Sequence, residues 1–379
     1  MSKQHRGRNE GSISQRSNGS WRAQVYQSGK RLSKDFHSKN EALTWVRTIQ
    51  REFDNGYLLK EGSITIEEYL PSWLENRRLS LRAKTAHQYS GLIGNHILPN
   101  IGSTKLRDLR LAGIENYYAH LAQLGVGTRT IRIVNNILHS SLDKAVRYGW
   151  IISNPTQGAT LPRYQHDEMR VLDPTQVIQF LIAAKNSPNY AMYHLAIATG
   201  MRLGELLGLK WCDVHFNVGL IHVQRQKQYV PGEGCSLIEP KTKAGRRTIK
   251  VGEGVLHILR DHEQSQIMMR NRVGDRWVDM DLVFPNSVGR PGDASNIRVD
   301  FNRVLMAAGL HRIRIHDLRH TAASLLLNHK VPVIVVSNIL GHSKPSVTLD
   351  IYAHVLCDMQ GEAASIMDKL VPCIPFSIS

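Results

Sequence analysis

The sequence has few cysteines and none of the common motifs that hold a metal ion or a nucleoside triphosphate. Its four cysteines, at positions 212, 235, 357 and 373, are widely spaced and form no CxxC pair, which argues against a zinc knuckle or a disulfide scaffold. The sequence contains no GxxxxGK[ST] loop, no HExxH motif and no acidic cluster suited to two-metal phosphoryl chemistry. We therefore expect no metal and no cofactor.

Long apolar stretches are also missing. The N-terminus is polar, leads into no apolar run, and no uninterrupted apolar stretch approaches the length of a membrane span. We therefore expect a soluble, cytoplasmic protein without a membrane partner. Hydrophobic residues make up 42% of the 379 residues, which is enough for folded cores, and the length predicts two or three domains.

Positive charge is abundant and unevenly distributed. Lys and Arg total 48 against 32 Asp and Glu, a formal net charge of +16. The first 165 residues hold three quarters of this excess. A surplus of this kind favours a polyanionic partner, with nucleic acid as the leading candidate, and predicts that its electrostatic contacts lie mainly in the first 165 residues.

The first 60 residues predict a small basic sheet packed on one helix. Apolar and polar residues alternate over 21–25, residues 31–36 are typical of a return strand, and residues 38–41 form a capping box that opens a helix. The basic strands favour DNA contact by Arg22 and Arg31, and a protein-interaction module is the alternative.

Residues 64–163 predict a helical segment. Apolar residues recur at helical spacing behind the Thr65 to Glu68 capping box, over 86–96 with an end near Pro99, over 112–124, and over 131–146. Polar and basic residues stand where two of these helices begin, and helix N-termini donate backbone N–H groups to phosphates. The candidate DNA contacts are Arg82, Lys84, Thr85, Arg129, Thr130 and Arg132; solvated surface charge is the alternative.

Residues 169–379 predict helices around a short cluster of strands. After a linker over 154–170, Asp173 and Pro174 have the pattern of a helix start. Strands are predicted at 220–226, 236–239 and 247–251. The whole chain is therefore predicted to be mainly α with small β-sheets, an α+β fold.

Four stretches of this last part carry residues suited to phosphate chemistry. In the first, Arg202 follows a glycine at the start of a helix, and Glu205 lies on the same face to orient its guanidinium. The second, 240–247, is a basic turn between two predicted strands, and on a hairpin its Lys241 reaches into a DNA groove.

The other two stretches add histidines and a tyrosine. His316 and Arg319 are spaced i, i+3, which allows both to contact one phosphate. His342 lies at a turn, and Tyr352 follows ten residues later on a predicted short helix. Each residue alone fits an ordinary surface or core position, but the order Arg, Lys, His-x-x-Arg, His, Tyr is specific.

With these motifs the sequence resembles the tyrosine recombinase (phage integrase) family, and specifically the integrases of temperate phages and integrative elements. Residues 1–60 resemble its arm-type DNA-binding domain, 64–163 its helical core-binding (SAM-like) domain, and 169–379 its catalytic domain with a C-terminal tail. The resemblance implies that the catalytic residues are Arg202, Lys241, His316, Arg319, His342 and the nucleophile Tyr352. Lys243 is an alternative to Lys241, and His320 is expected to be structural.

The resemblance also implies the reaction and its partners. The expected activity is site-specific DNA recombination through a 3′-phosphotyrosyl intermediate, without metal or ATP, to integrate or excise a mobile element. The implied partners are double-stranded core and arm attachment sites, further copies in a homotetramer that the C-terminal tail helps to build, an excisionase and a host DNA-bending protein. A type IB-like topoisomerase and a catalytically silent DNA-binding regulator on the same scaffold are the alternatives.

Overall fold

The computed structural model describes residues 11–17, 19–27, 30–54, 64–163, 170–240, 242–346, 348–349 and 359–371. The chain divides into two compact units, Met1–His166 and Asp167–Ser379. Helices predominate and the sheets are small and antiparallel, so the predicted α+β class is confirmed. The three-domain division stays a prediction.

The N-terminal part is a three-stranded antiparallel sheet covered by one helix. The strands β1 (Ser12–Gln15), β2 (Trp21–Gln27) and β3 (Lys30–Phe36) lie in that order, and α1 (Lys39–Asp54) follows them. Alternation along β2 buries Ala23 and Val25 against Ala42 and Val46 of α1, which leaves Arg22 on the opposite face. Strand β1 was not predicted, because four residues give too short a pattern.

Residues 64–163 form α-helices around one apolar core. They are α2 (Ile66–Arg78), α3 (Ala83–Leu92), α4 (Leu111–Gln123) and α5 (Thr128–Arg147). The predicted capping box is present, since the backbone N–H of Glu68 donates to Thr65 and that of Thr65 donates to Glu68. Helix α3 continues through a π-helical segment and a last turn to Ile101, two residues beyond the predicted end near Pro99.

The second unit surrounds its strands with helices. The helices are α6 (Pro174–Ala184), α7 (Tyr190–Thr199), α8 (Leu203–Leu206), α9 (Glu253–Val273), α10 (Ala294–Ala307), α11 (Asp317–Asn328), α12 (Val333–Leu340) and α13 (Met359–Leu370). Phe180, Tyr193 and Phe301 pack their rings together in the core. Among the residues described here, none of the helices combines the length and apolarity that crossing a bilayer requires.

The strands of this unit form two separate sheets. β4 (Val214–His215), β5 (Leu220–Val223) and β8 (Arg247–Lys250) form one, while β6 (Gln226–Val230) and β7 (Gly234–Ile238) form a hairpin. The predicted strand 220–226 is therefore divided between two sheets. Because β7 pairs with β6 across glycines of positive φ, and β8 pairs with β5, the strands β7 and β8 belong to different sheets, and the predicted hairpin between them is wrong.

Candidate active site

Arg202 is positioned by a glycine turn and by a buried carboxylate. Helix α7 ends at Gly200, whose φ is +62° and whose Cβ position would lie 2.5 Å from Leu340 Cδ2. A larger residue would therefore be strained in this backbone conformation and would displace the Leu340 side chain. Arg202 then caps the start of α8. Its Nη1 donates to Glu205 Oε1 at 2.7 Å and its backbone N to Oε2 at 3.0 Å. The orientation of Arg202 by Glu205 that the i, i+3 spacing predicts is thus present.

Arg319 lies against the same turn. It occupies the first turn of α11, is 3% exposed, and its Nη1 donates to the carbonyl of Gly200 at 2.8 Å. Arg319 and Arg202, separated by more than a hundred residues in sequence, therefore meet at the Gly200 turn.

His316 stands immediately before α11 and is neutral at pH 7. Burial is the largest cause that lowers its pKa to about 4. His320, Arg319 and Arg202 add to the effect of burial, and Asp317 opposes it. Its ring meets that of His320 edge to face, with 5.3 Å between ring centroids. A neutral imidazole has a nitrogen lone pair that accepts a proton, which is the requirement for a general base.

His342 follows the C-terminus of α12, where Gly341 has a φ of +68°. Its Nδ1 shares a 2.8 Å hydrogen bond with the Thr348 hydroxyl. Burial lowers its pKa to about 4, with Arg319 and Arg202 as the next contributions. Since these two arginines act on both histidines, Arg202, His316, Arg319 and His342 lie within electrostatic reach of one another.

The remaining two predicted catalytic residues, Lys241 and Tyr352, lie outside the described residues. The segment after Lys241 is described: Thr242 accepts from the backbone N of Gly245 at 3.1 Å, and Lys243 is exposed. The carbonyl of Ala244 lies 2.7 Å from the Cβ position of Gly341, which places this segment against the turn of His342.

Sequence reasoning assigned no role to Arg247, the first residue of β8. Its side chain is 6% exposed and donates to Glu205 and to the carbonyls of Gly245 and Ile339. Arg247 belongs to the basic stretch 240–247, but no local sequence pattern indicates its role, because two of its partners, Glu205 and Ile339, are distant in sequence.

The candidate DNA contacts lie on the N-terminal sheet and at the starts of two helices. Arg22 lies on β2 and is paired with Asp35, and the side chain of Arg31 lies outside the described residues. At the start of α3, Arg82 and Lys84 are exposed and Thr85 is half-buried. At the start of α5, Arg129 is exposed, Thr130 is half-buried, and Arg132 donates to the carbonyl of Pro162 at 3.1 Å.

Two family models match this chain. The phage integrase family matches residues 170–358, and the phage integrase N-terminal SAM-like domain matches residues 65–122. A tyrosine recombinase XerC-like protein of Caldanaerobacter subterraneus is 29% identical over 365 residues, which cover 91% of this chain and 93% of the relative.

Solved structures share the fold. The Tn1549 transposon integrase in complex with a circular intermediate DNA superposes with a TM-score of 0.71 at 21% identity, over 82% of this chain and all of that one. A lambda integrase tetramer bound to a Holliday junction gives a TM-score of 0.55 at 18% identity, over 88% of this chain and 96% of that one. The chain is therefore a member of the phage integrase family of tyrosine recombinases, site-specific recombinases that cleave and rejoin DNA.

Proposed function

We propose that this recombinase uses Tyr352 as its nucleophile, with Arg202, Arg319, His316, His342 and Lys241 around the scissile phosphate. The observation that carries the proposal is the pair of arginines at the Gly200 turn, whose charges both act on two neutral histidines that stand at two other helix ends. Such a group binds and neutralises a phosphate with side-chain cations alone.

The first chemical step is attack of the Tyr352 hydroxyl on phosphorus. A free phenol has a pKa near 10, so forming the phenolate at pH 7 costs about 4 kcal/mol. His316 accepts this proton because its ring is neutral. Arg202 and Arg319 donate to the two non-bridging oxygens as negative charge builds on them, and His342 hydrogen-bonds the phosphate or supports the nucleophile segment.

The bond from phosphorus to the 5′ oxygen breaks as the bond to Tyr352 forms. Lys241 donates a proton to the departing 5′ oxygen, which otherwise leaves as a strongly basic alkoxide. The product is a 3′-phosphotyrosyl ester and a free 5′ hydroxyl. Attack by the 5′ hydroxyl of a second duplex reverses these steps and rejoins the strands, which conserves the ester bond energy.

DNA is held by the first unit in this proposal. Residues 1–60 bind arm-type sites through the polar face of the sheet that carries Arg22, and residues 64–163 bind core sites through the exposed cations where α3 and α5 begin. An excisionase and a host bending protein set the direction of the reaction, which integrates or excises a mobile element in the cytoplasm of a bacterial host.

Assembly involves the C-terminal tail. Helix α13 exposes Ile366 and Met367, at 55% and 56%, together with Leu370 at 70%. This apolar face is proposed to dock on a neighbouring copy and to help form a tetramer on two duplexes. Truncation after residue 358 is expected to weaken synapsis of two DNA duplexes, and unchanged assembly of the truncated protein would contradict this role.

A nicked duplex that carries the junction sequence of the element tests the chemistry. The protein is incubated with it without added metal, and a covalent adduct is expected that Tyr352→Phe does not form. Strand exchange between two such duplexes is then measured. An adduct without exchange favours a topoisomerase, and no adduct at all favours a silent regulator.

A further inference from the structure

Arg247 is a buried arginine for which the proposed mechanism has no step. Each of its three guanidinium nitrogens donates a hydrogen bond: Nη2 to Glu205 Oε2 at 2.9 Å, Nε to the carbonyl of Ile339 at 2.5 Å, and Nη1 to the carbonyl of Gly245 at 3.2 Å. The guanidinium is planar and rigid, so its three partners are fixed relative to one another.

The first partner connects Arg247 to Arg202. Glu205 is 1% exposed, and its carboxylate accepts from Arg202 through both oxygens and from Arg247 through Oε2. The carboxylate therefore bridges two arginines. Without Arg247, the Glu205 carboxylate loses one of the two arginines that hold it in place. The orientation of Arg202 depends on that carboxylate.

The second partner connects Arg247 to His342. Ile339 is the next-to-last residue of α12, and the last carbonyls of a helix have no intrahelical donor. The Cβ position of Gly341 lies 3.0 Å from both Cδ and Nη1 of Arg247. The turn that carries His342 therefore rests directly on the guanidinium.

The third partner is the segment that follows Lys241. Gly245 lies in its 3₁₀ turn, Lys243–Gly245, and the adjacent Ala244 contacts the Gly341 position. One side chain thus touches the supports of three members of the proposed catalytic group. Three of its five N–H groups donate to the protein and its side chain is 6% exposed, so Arg247 is assigned to support and not to phosphate binding.

We propose that Arg247 is a positioning residue that holds Arg202, the His342 turn and the 242–246 segment in one arrangement. The proposal rests on the function proposed above. A displacement of about 1 Å at a reacting group is enough to cost about 10²-fold in rate.

The test compares Arg247→Met and Arg247→Lys in the full-length protein, with the nicked duplex at saturating concentration. Adduct formation by bound Arg247→Met is expected to be about 10²-fold slower, while its affinity for the duplex is unchanged. Arg247→Lys retains a charge near Glu205 but has no planar fork for three acceptors, so an intermediate rate is expected. A wild-type rate in either variant overturns the proposal.

Two arginines of the same unit provide matched controls. Arg270→Met removes a cation whose side chain is 55% exposed and pairs with Asp279, away from the 242–246 segment in sequence. Arg225→Met breaks another pair with a buried carboxylate, that of Asp213, and so controls for destabilisation, which the melting temperature reports. Both bound controls are expected to form adduct at the wild-type rate. Slowing by Arg225→Met equal to that of Arg247→Met overturns the proposal.

The pKa of His342 provides a readout that needs no reaction. Burial, then Arg319, Arg202, His320 and Arg247, lower the pKa of this ring to about 4. NMR titration of ¹³C-labelled histidine in the DNA-free protein is expected to show a raised His342 pKa in Arg247→Met but not in Arg247→Lys. An unchanged His342 pKa in Arg247→Met contradicts the positioning role even if the wild-type protein forms no adduct. A failure of this proposal is therefore distinguishable from a failure of the proposed function.

Discussion

The Glu205 carboxylate shows how much one buried charge decides in this site. Burial alone would raise its pKa, but Arg247 and Arg202 outweigh burial and hold the pKa below its usual value. The carboxylate is therefore ionised at neutral pH and both arginines remain paired. The positions of the site residues thus depend on an ion pair in the protein interior.

Glu205→Gln is expected to destabilise the protein by about 3–5 kcal/mol, because it retains the shape but leaves Arg247 as a buried charge without a counter-charge. Urea denaturation measures the loss. The matched control is Glu239→Gln, whose side chain is 73% exposed and pairs with Arg246 on the surface. Equal effects of the two substitutions would show that burial of the pair contributes nothing.

The histidines of the site predict a dependence of stability on pH. In the unfolded chain their pKa is about 6.5, and in the folded protein the pKa of His316 and of His342 is about 4. Between these values the unfolded chain binds more protons. The free energy of unfolding is therefore expected to fall as the pH falls from about 6.5 to about 4.

Urea denaturation across this pH range measures the effect. The double variant His316→Gln/His342→Gln lacks both groups, so a shallower slope is expected for it. A slope as steep as that of the wild-type protein would mean that these two rings are not the source.

At the scale of elements, the pairing of β2 with β3 places an acidic side chain beside Arg22, a candidate DNA contact. Asp35 of β3 lies opposite Arg22 of β2, and its carboxylate accepts from Nε at 2.7 Å and from Nη2 at 2.9 Å. Arg16 donates to the same carboxylate at 3.0 Å. Two of the cations that would face a phosphate backbone are thus partly neutralised by one acid.

Asp35→Asn is expected to release both arginines for phosphate contact. Each added contact steepens the slope of log K against log salt concentration by about 0.9 on duplex DNA. Fluorescence anisotropy over a range of salt concentrations measures this slope. Glu41→Gln, on the first turn of α1, makes the same change in net charge without releasing either arginine. Identical slopes for the two variants would contradict the argument.

Helix α3 ends at Ile101, two residues beyond the position that a local rule indicates. Proline at position 99 predicts a helix end, because it lacks a backbone N–H. The helix instead changes to π-helical geometry over Ile93–Ile97, and Pro99 enters the first turn of the short segment that follows. The carbonyl of His96 accepts from the side chains of Asn100 and Tyr117, at 2.7 and 3.0 Å. The bond from Tyr117 is a tertiary contact, which the local pattern around Pro99 does not contain.

At the scale of the whole molecule, the site depends on residues more than a hundred positions apart. Arg319→Ala is expected to slow adduct formation by about 10²–10³-fold, since it removes one donor to the phosphate oxygens. The rate of adduct formation on the nicked duplex at saturating concentration measures the loss. His329→Ala, which changes an exposed residue after the same helix, is expected to leave that rate unchanged. Equal rates for the two variants would contradict the assignment of Arg319.

The sequence by itself determined the features that depend on local chemistry. The capping box at Thr65, the helix start at Asp173 and Pro174, alternation along β2 and the i, i+3 spacing of Arg202 and Glu205 each act within a few residues. Each of them is present in the structure. The order of the motif residues also sufficed to identify the family.

Only the tertiary structure decided which distant groups meet. Segments that no local pattern connects are joined by the pairing of β8 with β5, by the contact of Arg319 with Gly200, and by the bonds of Arg247 to Glu205 and Ile339. The depressed pKa values of His316 and His342 have the same origin. Burial and the summed charge of neighbours depend on packing in three dimensions, and a one-dimensional pattern contains neither quantity.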